Sequence, residues 1–431
     1  MGLVLGVLVL PVFVALGAPS VALPALGRAL SVPFGSTAWV LAAWSLTSAL
    51  AMPVAGRLVT RFRPVRVLTA GVVTLAAGSA LAAVGPTLAV VVAGRLVGGA
   101  GAGATVIAVF AVATALPGAE RARALGVVAA ASATASACGT LLGGAVTAWL
   151  GWRAVLAIPV LALPLLLLAT ASTFPDDDGT GRAPAERFDL LGAALLWVLA
   201  GALVTLLQAH AVGLPAPVTL AVGVAGAVAG VGLWWRVRRV PDGFVPRRVV
   251  TARGLPAAGV VGGTVFAGYY GVLFLAPSLI EQATGVGALG AGAALVPAAA
   301  CSVLAGRLVA AAGRFAAWRT AAVLAALTTL GVIVVAAFPG PVPVVVGTAL
   351  TVCGFAGAQA VLVGLAPQLV AAPDRDTAQG LLNFAIFLGG GIGPAAVAGL
   401  SAVVPVPTAL AVLAALPLLG LVIGLTRRPG A

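Results

Sequence analysis

The chain has no lysine, a single histidine (His210), three cysteines and only ten acidic residues in 431 positions. Each scarcity removes a class of function. Without lysine there is no Ser–Lys dyad. With one histidine at the edge of an apolar run, and no acid well inside any such run, a Ser–His dyad, paired aspartates and an HExxH zinc site all fail. Haem or metal electron transfer fails for lack of ligands, so no enzyme activity, cofactor or metal is expected. Charged residues make up 8% of the chain, against roughly 25% in soluble domains. That leaves too little charge for a water-facing surface. Cys138, Cys301 and Cys353 all fall within apolar runs, where small packing residues rather than disulfides are the default. Amid so much Ala, Val and Gly, the absence of lysine reads as coding bias rather than chemical demand.

What the chain has is apolar length. Hydrophobic residues make up 62% of it, and a helix crosses a bilayer with about 20 apolar residues. Fourteen spans are predicted: 3–26, 36–56, 67–85, 88–113, 123–148, 152–170, 190–209, 216–235, 255–280, 288–310, 318–338, 342–367, 377–402 and 405–425. No basic segment precedes the first span, so a cleaved signal peptide is not expected. The net charge of +13 could suggest nucleic acid, but the arginines sit in short loops beside the spans. With the N-terminus in the cytoplasm, 20 of the 23 fall on the inner side, Arg28 and Arg153 fall outside and Arg95 lies within a span. This is the positive-inside pattern. It predicts a multi-pass plasma-membrane protein, of a bacterial inner membrane, with both termini cytoplasmic and lipids rather than nucleic acid as surroundings.

Two polar stretches, Ser172 to Asp189 and Arg236 to Gly254, bracket the seventh and eighth spans. The layout is therefore six, two and six: a bundle over 1–171, loops with two inserted helices over 172–254, and a second bundle over 255–431. Gly56-Arg57-Leu58-Val59 follows the second span, and Gly306-Arg307-Leu308-Val309 follows the second span of the last six. The echo supports duplication, a common feature of secondary transporters whose substrate site lies near the midplane between repeats. A monomer is expected. GxxxG pairs at Gly94/Gly98, Gly139/Gly143 and Gly389/Gly393 mark close helix contacts, and Pro11, Pro19, Pro24 and Pro394 mark kinks.

Several motifs in this order resemble the major facilitator superfamily. Gly56-Arg57-Leu58-Val59-Thr60-Arg61-Phe62-Arg63-Pro64-Val65-Arg66 is similar to its GxLxDRxGRR loop, and Arg95 to Gly101 to its RxxQGxG helix. Gly139-Thr140-Leu141-Leu142-Gly143-Gly144 is similar to the GPxxGG antiporter motif. Gly151-Trp152-Arg153 with Pro159 resembles the GWRW…P entry to the sixth helix, and Phe188-Asp189-Leu190-Leu191-Gly192 the FDxxG start of the first inserted helix. Together these resemble the fourteen-helix drug:proton antiporter branch. The implied fold is an all-α membrane protein of major-facilitator type, two six-helix bundles with two inserted helices. The implied function is secondary transport that exports small amphipathic or drug-like molecules by alternating access. The resemblance also makes Gly56, Arg57, Thr60, Arg61 and Arg66 a gating loop, makes Gly139, Thr140, Gly143 and Gly144 the antiporter-like motif, and has Arg95 link the first and fourth helices.

The departures concern coupling. Thr60 stands where the loop motif has its acid, Arg63 for its central glycine, Gly98 for the glutamine and Thr140 for the proline. Before Ser20-Val21-Ala22-Leu23-Pro24, the place of the first-helix acid holds Ala15 or Leu16, and the arginine of the thirteenth-span motif is Ile386. Proton antiport, proton-independent facilitation and a non-transporting scaffold all remain open on these residues. Glu281, on the outer side, is the candidate proton site. A central arginine costs at least about 2.5–3.5 kcal/mol in a membrane, so Arg95 is expected to line a polar cleft. The rest of the candidate substrate set is uncharged: Phe13, Ser20, Trp44, Thr134, Ser136, Phe266, Tyr269, Tyr270, Gln359, Asn383 and Phe387. Trp39 is assigned to an interfacial belt.

Overall fold

The computed structural model describes residues 2–170, 189–298, 300, 301, 305, 309, 317–338, 340–371 and 374–427. Every regular element among them is helical. In order these are α1 (Gly2–Ala29), α2 (Ala38–Arg61), α3 (Pro64–Val84), α4 (Leu88–Thr114), α5 (Gly118–Leu150), α6 (Trp152–Ala157), α7 (Ala162–Thr170), α8 (Leu190–Gln208), α9 (Ala216–Arg239), α10 (Arg247–Val250), α11 (Leu255–Thr284) and α12 (Ala288–Ala294). Then follow α13 (Ala317–Ala337), α14 (Pro341–Leu365), α15 (Arg375–Ser401), α16 (Val406–Leu413) and α17 (Ala415–Thr426).

Eleven helical stretches among the described residues are long and apolar enough to cross a membrane. The other three predicted spans coincide with the shorter apolar stretches Cys138–Leu150, Trp152–Leu168 and Ala288–Ala298. The first is the end of α5, a continuous helix of 33 residues, and the side chains just before Cys138 lie outside the described residues. Pro159 sits in a 3-10 turn, Ile158–Leu161, between α6 and α7; its missing N–H and fixed φ interrupt the α-helical ladder. The third runs into residues outside the described set. The break after α5 is sharp because Gly151 adopts a φ of +82°, a conformation that only glycine enters at little cost.

Two boundaries differ from the sequence reading. The segment beginning at Gly56 is not a loop at its start: α2 continues through Gly56, Arg57, Thr60 and Arg61 and stops at Arg61. Nothing breaks the helix before Pro64, and the residue preceding a proline is driven out of the α region. Arg63 accordingly sits at ψ 130° as the N-cap of α3. The ninth span likewise continues past 280, so that Glu281 lies in the last turns of α11. The echo at 306–309 falls largely outside the described residues.

The chain divides into two compact units, the first holding residues 1–32, 43–186 and 286–296 and the second 33–42, 187–285 and 297–431. In the first, α1 runs against α5 and α3 against α4, and α12 packs on α5. In the second, α11 packs on α14 and α15, α13 packs on α14 and α17, and α8 packs on both α9 and α15. The three GxxxG pairs all lie at helix contacts: Gly94 against Ala82, Gly143 against Ala18, and Gly389 and Gly393 against Gly263 and Ala267. Such contacts matter because water does not drive helices together in lipid; close backbone packing does.

Polar contacts tie α8 and α9 into the second unit. Asp189 is the N-cap of α8 and accepts from the Gly192 amide at 2.9 Å. It also accepts from Arg236 Nε at 3.0 Å and from the Phe244 amide at 3.0 Å. Thus one carboxylate closes α8, holds the end of α9 and pins the loop that follows. Nearby, Arg248 bridges Asp242 at 3.1 Å and Asp374 at 2.8 Å. Burial pushes the Asp189 carboxyl up, but the hydrogen bonds from Arg236, Gly192 and Phe244 and the Arg236 charge outweigh it. The net result lies below the ordinary carboxylate value. The contribution to stability is therefore complete above a pH of about 4 and fades as pH falls through the lowered value. Asp189→Ala is expected to cost about 2 kcal/mol at neutral pH through the lost cap and charged hydrogen bonds. Thermal unfolding of the detergent-solubilised protein checks this: parent and variant should differ at pH 7 and converge in strong acid. Equal stability at pH 7 would remove the assigned role.

Candidate functional site

In the first unit the site is built around Arg95. Thr87 caps α4 and accepts from the Val90 amide, and Arg95 follows two turns later with 2% of its surface exposed. Its guanidinium lies 4.0 Å above the Trp44 ring and donates from Nη2 to the Ala15 carbonyl at 3.3 Å. The reason that carbonyl can accept lies four residues on. In an α-helix the Ala15 oxygen would bond the N–H of residue 19, but residue 19 is proline, which has none. Pro19 leaves the acceptor open inside α1, and Arg95 of α4 takes it. The sequence reading treated Pro19 as a kink; its consequence here is the freed acceptor. Ala15 stands where the resemblance places an acid, so that position offers the arginine a backbone carbonyl in place of a carboxylate. Trp44 supplies a cation–π contact of about 2 kcal/mol when desolvated.

The neighbouring candidates divide. Phe13 and Trp44 are buried. Ser20 is buried too, but its hydroxyl donates to the Gly17 carbonyl of its own helix at 2.7 Å, which occupies its donor. Thr134 is exposed, and the Ser136 and Thr60 side chains lie outside the described residues. Along α5, Gly139 and Gly143 face α1 while Gly144 faces α12. A Cβ at Gly143 would sit 2.4 Å from the Ala18 carbonyl oxygen, one at Gly144 2.5 Å from that of Ala288, and one at Gly292 2.6 Å from that of Thr140. The antiporter-like motif is thus a surface on which two other segments rest directly, backbone on backbone. Beyond it, Trp152 is buried and Arg153 stacks on it at 4.3 Å while donating to the Gly85 carbonyl at 3.3 Å, which closes the end of α3. The Gly-Trp-Arg sequence therefore serves as a turn, an anchor and a cap. Of the proposed gating residues, Gly56, Arg57 and Arg61 lie on the end of α2 and Arg66 in the first turn of α3, where it is exposed.

In the second unit five rings form one layer. Phe266, Tyr269 and Tyr270 come from α11, Phe355 from α14 and Phe387 from α15. Phe355 is the hub, with centroids 4.5 Å from Phe266, 4.4 Å from Tyr269 and 6.0 Å from Tyr270; Phe387 joins through Phe266 at 5.9 Å. All five are buried. Phe355 was missed in the sequence reading, although it lies four residues before Gln359 and hence on the same helix face. Asn383 likewise precedes Phe387 by four. Because α14 runs into the connection at 366–374 and α15 runs out of it, both amides sit one turn from the ring layer toward that same end. Gln359 and Asn383 are half-buried. Neither amide, and neither tyrosine hydroxyl, hydrogen-bonds another described residue. These phenol and amide groups stand beside a buried apolar aromatic layer, and an apolar lining with a few polar groups is the usual composition of a small-molecule site. Glu281 lies half-buried in the last turns of α11, and no cluster of three or more metal-ligating side chains occurs among the described residues.

With that geometry in view, comparison with known proteins decides the family. The model of the Major Facilitator Superfamily matches residues 5–394. The chain belongs to that superfamily. Its relatives include the puromycin resistance protein pur8 of Streptomyces alboniger, 32% identical over 307 residues, covering 67% of this chain and 58% of that one. The multidrug resistance protein Stp of Mycobacterium tuberculosis is 28% identical over 295 residues, covering 67% and 54%. The methylenomycin A resistance protein of Bacillus subtilis is 27% identical over 290 residues, covering 66% and 61%. The chain thus spans between about half and three fifths of these relatives' length. Among solved structures it is similar to an auto-inhibited POT family peptide transporter, with a TM-score of 0.67, 16% identity and coverage of 98% of this chain and 95% of that one. It is also similar to the human organic anion transporter MFSD10, with a TM-score of 0.63, 18% identity and coverage of 98% and 97%. These likenesses bear out the all-helical superfamily fold.

Proposed function

We propose that this superfamily member exports small amphipathic, ring-bearing molecules by alternating access and depends little on the proton gradient. The observation that carries the substrate class is the five-ring layer around Phe355, with phenol and amide groups beside it. Rings stack on flat or cationic ligands, and the resistance proteins among the relatives favour export. Fourteen crossings in a six, two and six layout, as in the drug:proton antiporter branch, complete the reading. Bundles run over 1–171 and 255–431 with the inserted pair over 172–254, and the protein acts as a monomer. The arginine distribution supports cytoplasmic termini; a C-terminal reporter active only in the periplasm would refute that.

The coupling part rests on acids. A proton relay gains and loses a proton during the cycle and is normally a buried Asp, Glu or His. Among the described residues, Glu281, close to the end of α11, is the only acid inside the eleven stretches long and apolar enough to cross a membrane, while Glu120 stands in the first turn of α5. Proton antiport through Glu281 is the second reading, and Glu281→Gln separates the two because it keeps the shape and removes the titration. For the substrate class, Phe355→Leu should lower the flux of aromatic substrates in proteoliposomes about tenfold or more through lost ring contacts, while an aliphatic amphiphile of similar size changes little. An equal change for both would refute recognition by the ring layer.

A further inference from the structure

The end of α9 carries a feature that transport does not use. This helix is the most exposed of the candidate spans, with 11% of its apolar window buried by the protein. At its cytoplasmic end stand Trp234, Trp235, Arg236, Arg238 and Arg239. The i, i+4 spacing sets each outer arginine over the tryptophan one turn nearer the membrane. Arg238 lies 3.8 Å above the Trp234 ring and Arg239 4.2 Å above that of Trp235. All four side chains are exposed. Arg236 is different: it turns to Asp189 and is neutralised there at 2.9 Å. Arg238 and Arg239 make no ion pair with any described residue.

A guanidinium stacked on an indole has its face occupied and its edge free. That edge presents parallel N–H donors in the fork geometry that matches two phosphate oxygens. Stacking also holds the side chain in place, so less freedom is lost when an anion binds. Two such forks stand side by side at the level where tryptophan rings settle among headgroups, on a helix whose apolar flank, with Leu220, Val224, Val228 and Val231 exposed, faces away from the protein. Charge, donor geometry and the adjoining apolar surface all match one molecule, an anionic phospholipid with its phosphodiester at the forks and its chains along α9. We propose that the Trp234–Arg238 and Trp235–Arg239 pairs form a binding site for an anionic phospholipid of the cytoplasmic leaflet. The proposal is independent of what the protein transports.

The test uses the full chain in lipid nanodiscs and lipids with brominated chains, which quench tryptophan fluorescence on contact. Quenching assigned to this site is the part lost in W234F/W235F. Brominated phosphatidylglycerol should bind there about tenfold more tightly than brominated phosphatidylcholine. R238Q/R239Q should bring the ratio near unity with unchanged thermal stability, and R238K/R239K, which keeps charge but loses the fork, should give an intermediate ratio. Inorganic phosphate should not displace the lipid. Equal affinities in the parent, an unchanged ratio in R238Q/R239Q, or displacement by inorganic phosphate would each overturn the proposal. The lysine variant keeps the question answerable if the glutamine variant fails to fold.

Discussion

Arg95→Met stops transport, by at least about tenfold, in protein that still inserts and purifies as a monodisperse species. The side chain has 2% of its surface exposed, and the parts that hold it include the Trp44 ring, the Ala15 carbonyl and the proline that frees this carbonyl. A charged hydrogen bond contributes about 1.5–3 kcal/mol, and a desolvated cation–π contact about 2 kcal/mol. Lysine in its place keeps the charge and loses both the planar stack and the forked donors, so Arg95→Lys is expected to recover only a small part of the flux. The proline gives an independent arm. Pro19→Ala restores an N–H that competes for the Ala15 oxygen, and a several-fold loss of flux is expected without any change at Arg95 itself. Full activity in Arg95→Met would show that the arginine is a packing element only. Full activity in Pro19→Ala would show that the freed carbonyl does not matter.

The second large effect concerns three glycines of one helix. Along α5, alanine should be tolerated at Gly139, where the nearest atom to a new Cβ is 3.5 Å away. It should be damaging at Gly143 and Gly144, where the Ala18 and Ala288 carbonyl oxygens lie at 2.4 and 2.5 Å. Contacts so short force the backbones apart, and overpacking of this kind costs typically about 1–3 kcal/mol. Gly139→Ala should be neutral or gain up to about 1 kcal/mol from helix propensity. Thermal unfolding of the three variants in one detergent gives the order directly. The same loss at all three positions, or at none, would mean that the motif is not read through backbone contact.

Much of the fold is legible in composition because lipid leaves few solutions. Apolar runs of about 20 residues must be helices, and the arginines mark their ends. The Phe-Asp-x-x-Gly sequence placed the start of α8 because an N-cap carboxylate reaches the amide three residues on. What the sequence did not reveal depends on pairs far apart in the chain. Asp189 meets Arg236 only after α8 and α9 fold back on each other. Arg95 meets Ala15 from 80 residues away, and the signal that could have found this is the missing N–H of Pro19. Phe355 was overlooked because one aromatic in an apolar span has no periodic signature; only the three α11 rings converging on it make it central. The end of α2 was misplaced because glycine and arginine at 56 and 57 looked like a loop, whereas proline at 64 is what stops the helix.

The most direct test of the account is the movement of an aromatic, cationic amphiphile across proteoliposomes, measured with and without an imposed pH gradient. The account predicts Arg95-dependent flux that follows the substrate's own gradient, or the membrane potential, and is nearly unchanged when the pH gradient is absent. Uphill movement that appears only with the pH gradient and collapses with a protonophore would contradict it.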